Sequence, residues 1–164
     1  MSIALPMRVG IGYDSHRFGE GGPMRLGGID IPATRHCAGH SDGDAICHAV
    51  TDALLGAAAL GDIGEMFPDT DAANKGKDST LMLSAAVARV HEAGWRVGNV
   101  DITVITQQPK IGPHRAAIRT RLAGLLEITE QDVFVKGKTN ESMGWIGREE
   151  GLAVLATATV VPLR

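Results

Sequence analysis

Apolar positions along the chain change period several times, and each change marks a predicted element. "MRVGIGY" (7–13) reads as a short buried strand that stops where Asp14, Ser15 and His16 follow. "MRLGGIDIP" (24–32) is a β segment broken by its glycines. In "SDGDAICHAVTDALLGAAAL" (41–60), Ile46, Val50, Leu54 and Leu55 recur at helical spacing, with Ser41 and Asp42 as N-cap candidates. The polar stretch 61–78 predicts a long loop, and loops of that length usually carry function or move. A second amphipathic helix covers 79–94, with Gly94 as its stop. A strand over 97–108 shows the alternation Val100, Ile102, Val104, and 112–127 reads as a third helix with Pro113 in its first turn. "DVFVKGK" (132–138) and "GLAVLATATVVPL" (151–163) complete the set as strands. The last is nearly continuous in apolar character, as expected of a strand covered on both faces.

The order β, β, α, α, β, α, β, β predicts an α+β fold: a single-domain sandwich with helices on one face of a mixed or antiparallel sheet. No repeat or linker divides residues 1–164, and 1–6 read as a short N-terminal tail. Helices on one face would leave the other face uncovered, so oligomer formation through the sheets is expected.

The chain has 164 residues, 44% of them hydrophobic and 21% charged, which is ordinary for a globular protein. A net charge of -3 argues against a general nucleic-acid binder or an anionic-membrane binder. No apolar run has transmembrane length and the start lacks the pattern of a secretory signal. Cys37 and Cys47 form no CxxC pair. A cytoplasmic protein is expected, with no membrane and no nucleic acid among its partners.

Candidate chemistry concentrates early. On a strand Asp14 and His16 point to one face, and His48 lies inside a predicted helix. Three such ligands with an open fourth position suit a catalytic zinc. A histidine satisfied within the core is the competing account of His48, and the residues alone leave both open. A set built from Cys37, His40, Cys47 and His48 matches no structural zinc spacing. "GKT" (137–139) ends like a phosphate loop but Asp132 stands where its first Gly belongs, and "GIGYDS" lacks the third Gly and the helix of a dinucleotide fingerprint. In "VKGKTNESMGWIGREEG", Lys136, Lys138, Thr139, Glu141 and Arg148 form a polar set able to hold phosphates or a divalent ion. A charged hairpin loop is the plainer account.

Together "GIGYDSHRFG", "HSDGDAICHAVTDALLGAAALGDIGEMFPDTD", "NVDITVITQQPKIGPH" and "KGKTNESMGWIGREEG" resemble one family, the 2-C-methyl-D-erythritol 2,4-cyclodiphosphate synthases of the non-mevalonate isoprenoid pathway. The segments run in order from about residue 8 to 151. The resemblance implies a homotrimer with sheets packed around its axis and active sites between subunits. It implies intramolecular attack of a 2-phosphate on the β-phosphorus of a cytidine diphosphate substrate, expelling CMP. By resemblance Asp14, His16 and His48 bind Zn²⁺, with Asp14 and His16 also near substrate, and Glu141 helps hold Mg²⁺ or Mn²⁺. His40 and Thr139 align with transition-state stabilisers, and Ser41 lies beside the substrate phosphates.

Asp62, Ile63 and Gly64, with Phe67, Pro68, Asp69, Thr70 and Asp71, match segments around the erythritol hydroxyls. Thr106, Gln107, Gln108, Pro109, Lys110, Ile111 and Gly112, with Lys138, match the nucleotide side, and Asn140 counts among the substrate-binding positions. Trp145 and Arg148 align with positions lining the trimer axis, where some members bind isoprenoid diphosphates, and Glu150 can pair with Arg148. Lys138 and Asn140 stand where Thr is frequent, Gly112 replaces a bulkier apolar residue, and Trp145 replaces Phe or Tyr.

Overall fold

A computed structural model describes residues 7–163, so the tail expected at 1–6 lies outside the described residues. The described residues form seven strands: β1 (Arg8–Glu20), β2 (Met24–Leu26), β3 (Ile29–Ile31), β4 (Arg35–Cys37), β5 (Trp95–Ile105), β6 (Val133–Lys138) and β7 (Gly151–Pro162). The α-helices are α1 (Ala45–Ala58), α2 (Ile63–Met66), α3 (Ser79–Glu92), α4 (Arg115–Leu126) and α5 (Gly144–Gly147). Five strands make one sheet in the order β4-β1-β7-β5-β6, antiparallel except for the β5–β6 pair. Strands β2 and β3 form a separate hairpin. The fold is the expected single α+β domain with a mixed sheet.

The core lies between this sheet and α1, α3 and α4. Val100, Ile102 and Val104 of β5, Val133 and Val135 of β6, and Leu152, Val154 and Ala156 of β7 meet Ile46, Leu54, Leu83, Ile118 and Leu122 from the helices. Among the described residues the opposite sheet face has no such cover. Val9, Ile11 and Tyr13 of β1 are 63%, 69% and 54% exposed, and Leu155 of β7 is 38% exposed. The apolar run of β7 therefore reflects one buried face within the chain, not two. At the β6 edge, Arg115 and Arg119 donate from Nε to the carbonyls of Val135 and Val133 at 2.8 and 2.7 Å, blunting an otherwise open strand.

Three local expectations change. The strand that begins at 8 does not end before Asp14; it continues to Glu20, because β4 takes over as partner at Phe18–Glu20. The N-cap of α1 is Asp44 rather than Ser41 or Asp42. This fully buried carboxylate accepts from Cys47 N at 3.0 Å, Gly27 N at 2.8 Å and Gly28 N at 2.6 Å, tying the β2–β3 turn to the helix. The 61–78 stretch contains α2 and a 3₁₀ turn at Ala72–Asn74, each started by an Asp side chain, Asp62 or Asp71.

Candidate active site

Backbone contact between β1 and α1 positions the centre. A side chain at Gly10 would lie 2.0 Å from Ala53 O, and one at Gly12 only 1.8 Å from Ala49 O. The facing surface of α1 is a stripe of buried alanines, Ala45, Ala49, Ala53 and Ala57, spaced by four. Glycine on the strand and alanine on the helix let the two elements touch. Two and four residues beyond Gly12 on the same strand face come Asp14 and His16, directed at the first turns of α1, where His48 projects.

Asp14 Oδ2 stands 2.9 Å from His16 Nε2 and 3.2 Å from His48 Nδ1, and the two ring nitrogens are 3.4 Å apart. Donors bound at zinc–ligand distances in a tetrahedron would be separated by roughly 3.3 Å. His16 Nδ1 is 2.9 Å from Ala38 O. A carbonyl only accepts, so Nδ1 carries a proton, and in the neutral ring Nε2 turns a lone pair toward the carboxylate. Such a convergence is favourable only with positive charge among the three groups, on a ring or as a metal ion. Each histidine side chain is 12% exposed and Asp14 25%, so the charge cannot be left to bulk water.

The titration directions agree. Burial works against ionised Asp14, but its contacts with the His16 and His48 rings outweigh it and hold the carboxyl below its ordinary range. Burial likewise opposes a charged His16, and the bond to Asp14 raises it nonetheless. Among the described residues this trio is the one group of three arranged to hold a metal. The cysteine-containing alternative is not assembled: Cys37 and Cys47 are buried, burial pushes the first thiol to about 12 and the second well above its usual value, and His40 is exposed.

The trio lies in a cleft of about 240 Å³ lined also by His40, Ser41, Ile63, Gly64, Phe67 and Asp69. Asn74 and Met82 complete the lining; nothing in their spacing singled them out. Asp52, one turn beyond His48, accepts from Ile63 N at 2.8 Å and so seats α2 at the rim; burial raises its carboxyl above the ordinary range. Asp62 and Asp71 are occupied as caps, accepting from Glu65 N and Ala73 N at 2.8 and 2.9 Å, and Pro68 O accepts from Asn74 Nδ2. Pro68, Thr70, Asp62 and Asp71 line no part of this cleft.

A second cleft, of about 210 Å³, is lined by Thr106, Pro109, Lys110, Ile111, Gly112, Lys138 and Thr139. Gln107 Oε1 accepts from Asn140 N at 2.8 Å, joining the two loops that form it. Glu141, at φ 50°, accepts from Thr139 Oγ1 at 3.0 Å. Gln108 faces a different hollow with Phe18 and Arg35. The two clefts share no lining residue, so within one chain His40 and Thr139 belong to separate places. Lys136 is committed to Asp101 at 2.6 Å and Arg148 to Glu150 at 2.6 Å, and neither lines the second cleft. Trp145 is exposed, and its carbonyl accepts from Glu150 N at 3.0 Å.

A model of the YgbB family matches residues 7–161. The 2-C-methyl-D-erythritol 2,4-cyclodiphosphate synthase of Gemmatimonas aurantiaca is 81% identical over 161 residues, 98% of this chain and 97% of that protein. The bifunctional IspDF of Campylobacter jejuni superposes with a TM-score of 0.92 at 42% identity, over 95% of this chain; the chain spans 42% of that protein. The IspF of Plasmodium falciparum, solved as a CDP complex, superposes at 0.84 with 35% identity, covering 96% of this chain and 97% of that one. No helix among the described residues is long and apolar enough to cross a membrane.

Proposed function

The chain belongs to the YgbB family, and from that premise we propose how its two clefts carry out cyclodiphosphate synthesis. The chain converts 4-diphosphocytidyl-2-C-methyl-D-erythritol 2-phosphate to 2-C-methyl-D-erythritol 2,4-cyclodiphosphate. A 2-phosphate oxygen forms a bond to the β-phosphorus, the bond from that phosphorus to the CMP oxygen breaks, and CMP leaves with the electron pair. The observation that carries this reading is the convergence of Asp14, His16 and His48 at the floor of a cleft. Their mixed carboxylate and imidazole donors fit Zn²⁺. When bound, the zinc supplies positive charge for a β-phosphate oxygen.

The nucleophile is already an anion, so the protein need not remove a proton; its task is to overcome repulsion and fix geometry. His40 and Ser41, at the cleft wall, donate to phosphate oxygens. Ile63 and Gly64, seated by Asp52, place backbone groups against the erythritol hydroxyls, with Phe67 and Asp69 opposite. Thr106 to Gly112 cradle the cytosine and Lys138 meets the nucleotide phosphates. Glu141 would hold Mg²⁺ or Mn²⁺, which would supply positive charge to the diphosphate, and a Glu141 so engaged frees the Thr139 hydroxyl to donate to the reacting phosphate.

Both clefts serve one reaction if Thr139 of one subunit faces His40 of a neighbour, as in a homotrimer closed through the outer sheet face. Exposed Val9, Ile11, Tyr13 and Leu155 support that packing. Trp145 and Arg148 would then line the axis, where an isoprenoid diphosphate could bind, and the protein would work in the cytoplasm. A non-catalytic phosphate binder has no use for the converging trio. Phosphorus NMR of the product is the test: coupled diphosphate signals of a ring together with released CMP are expected, and an open-chain bisphosphate would overturn the cyclisation.

A further inference from the structure

The two nitrogens of His48 face different surroundings. Nδ1 points to Asp14 and His16, whereas Nε2 lies 2.8 Å from Ser79 Oγ and 3.0 Å from Ser41 Oγ. A ring that offers Nδ1 to a metal must keep its proton on Nε2 and donate it. Both serines can accept, but they differ in what holds their own proton.

Ser79 is the first residue of α3 and fully buried. Its hydroxyl donates to Asp42 Oδ1, and its amide donates to Asp42 Oδ2 at 3.0 Å. An ionised carboxylate only accepts, so the Ser79 proton has a single destination and its lone pairs are left for His48. Asp42 is itself fixed by Asp44 N at 3.1 Å, with Arg25 Nε 3.9 Å away. Ser41 is not held in this way: it lines the cleft, and besides His48 its Oγ meets Gly43 N, from which it accepts a long bond of 3.4 Å. Its hydroxyl is free to turn toward a ligand.

We propose that Ser79 and Asp42 are positioning residues for the metal centre, a relay in which His48 Nε2–H donates to Ser79 and Ser79 donates to Asp42. The relay keeps the ring in the tautomer that presents Nδ1. It links the start of α3 to a centre otherwise built from β1 and α1, and it leaves Ser41 available to substrate. This inference rests on the metal reading of the trio.

The test compares Ser79→Ala, Ser79→Thr and Ser41→Ala with the unaltered protein, by chelator competition for zinc and by nitrogen-15 NMR of the His48 ring before metal is added. Loss of an orienting partner of this kind typically weakens metal binding about 10- to 100-fold. That loss is expected for Ser79→Ala, with Ser79→Thr restoring affinity and Ser41→Ala changing it by less than about threefold on the same scale. The ring should carry its proton on Nε2 in the unaltered protein and lose that preference in Ser79→Ala. Unchanged affinity and tautomer in Ser79→Ala, or an equal loss in Ser41→Ala, would overturn the relay. An unaltered protein that takes up no zinc would overturn the metal reading instead, and the tautomer measurement then still decides whether the relay exists.

Discussion

The two clefts are built by opposite means. The metal cleft rests on a strand and a helix in backbone contact, and its reactive groups are side chains largely withdrawn from water. The second cleft is a junction of two loops, after β5 and after β6, walled by Pro109, Ile111 and Gly112 and edged by Lys138 and Thr139. A cluster of three ligands tolerates little displacement, since donor atoms must stay within a few tenths of an ångström of metal distances. A planar base and flexible phosphates can be read by backbone groups and long cations, for which loops suffice. The division of labour predicts that the first cleft breaks sharply and the second gradually.

The sharpest test separates them outright. Replacing His48→Ala should remove stoichiometric zinc and lower CMP release by at least about 10³-fold, as expected when charge stabilisation of a transferring phosphoryl is lost. Nucleotide binding at the second cleft, followed by calorimetry with CDP, should persist. Loss of both would mean that the clefts are not independent parts. The same separation allows a recovery experiment. His48→Ala and Thr139→Ala chains should each be inactive alone. Co-expressed as mixed trimers they should regain activity, since one site in every mixed trimer pairs an intact metal cleft with an intact second cleft. No recovery would place both clefts in the service of a single chain.

Much of the first cleft was legible in the sequence, and the reason is covalent spacing. Asp14 and His16 at i and i+2 share a strand face whatever the surrounding fold. The contact between His48 and that pair was not legible from pattern, because it depends on where α1 lies on β1; the family resemblance supplied it. What fixes that placement, Gly10 and Gly12 against the alanine stripe, reads in the sequence only as a failed dinucleotide fingerprint. Ser79 and Asp42 escape for a similar reason, being 37 residues apart and joined only by tertiary packing. The strand boundary at Glu20 is not legible because polar residues on β1 suggest an end, whereas Asp14 and His16 are polar because they line a cleft. The separation of His40 from Thr139 could not be read at all, since spacing along a chain does not tell one cleft from two.

The β1–α1 contact yields the next prediction. Gly12→Ala would place a methyl 1.8 Å from Ala49 O, against backbone that cannot rotate away. Overpacking of this kind costs about 1–3 kcal/mol or more, so a lower Tm together with weaker zinc binding is expected. The matching control is on the far side of the same helix. A side chain at Gly56 meets nothing within 4 Å, so Gly56→Ala should stabilise by about 0.5–1 kcal/mol through helix propensity alone. Equal behaviour of the two variants in thermal melts would show that α1 does not rest on the strand.

The smallest effect belongs to the second cleft. Lys138 is exposed at its edge. An exposed cation near a phosphate contributes little, because water screens it and the long side chain loses freedom when held. Lys138→Thr should therefore weaken CDP binding only about two- to fivefold at low salt, with the gap closing as ionic strength rises. Zinc content should stay unchanged, since Lys138 lies in neither the trio nor its cleft. A tenfold or larger loss that survives high salt would mean that Lys138 makes a buried, directed contact. The second cleft would then be as exacting as the first, and the contrast between a rigid metal centre and a tolerant nucleotide edge would fail at that residue.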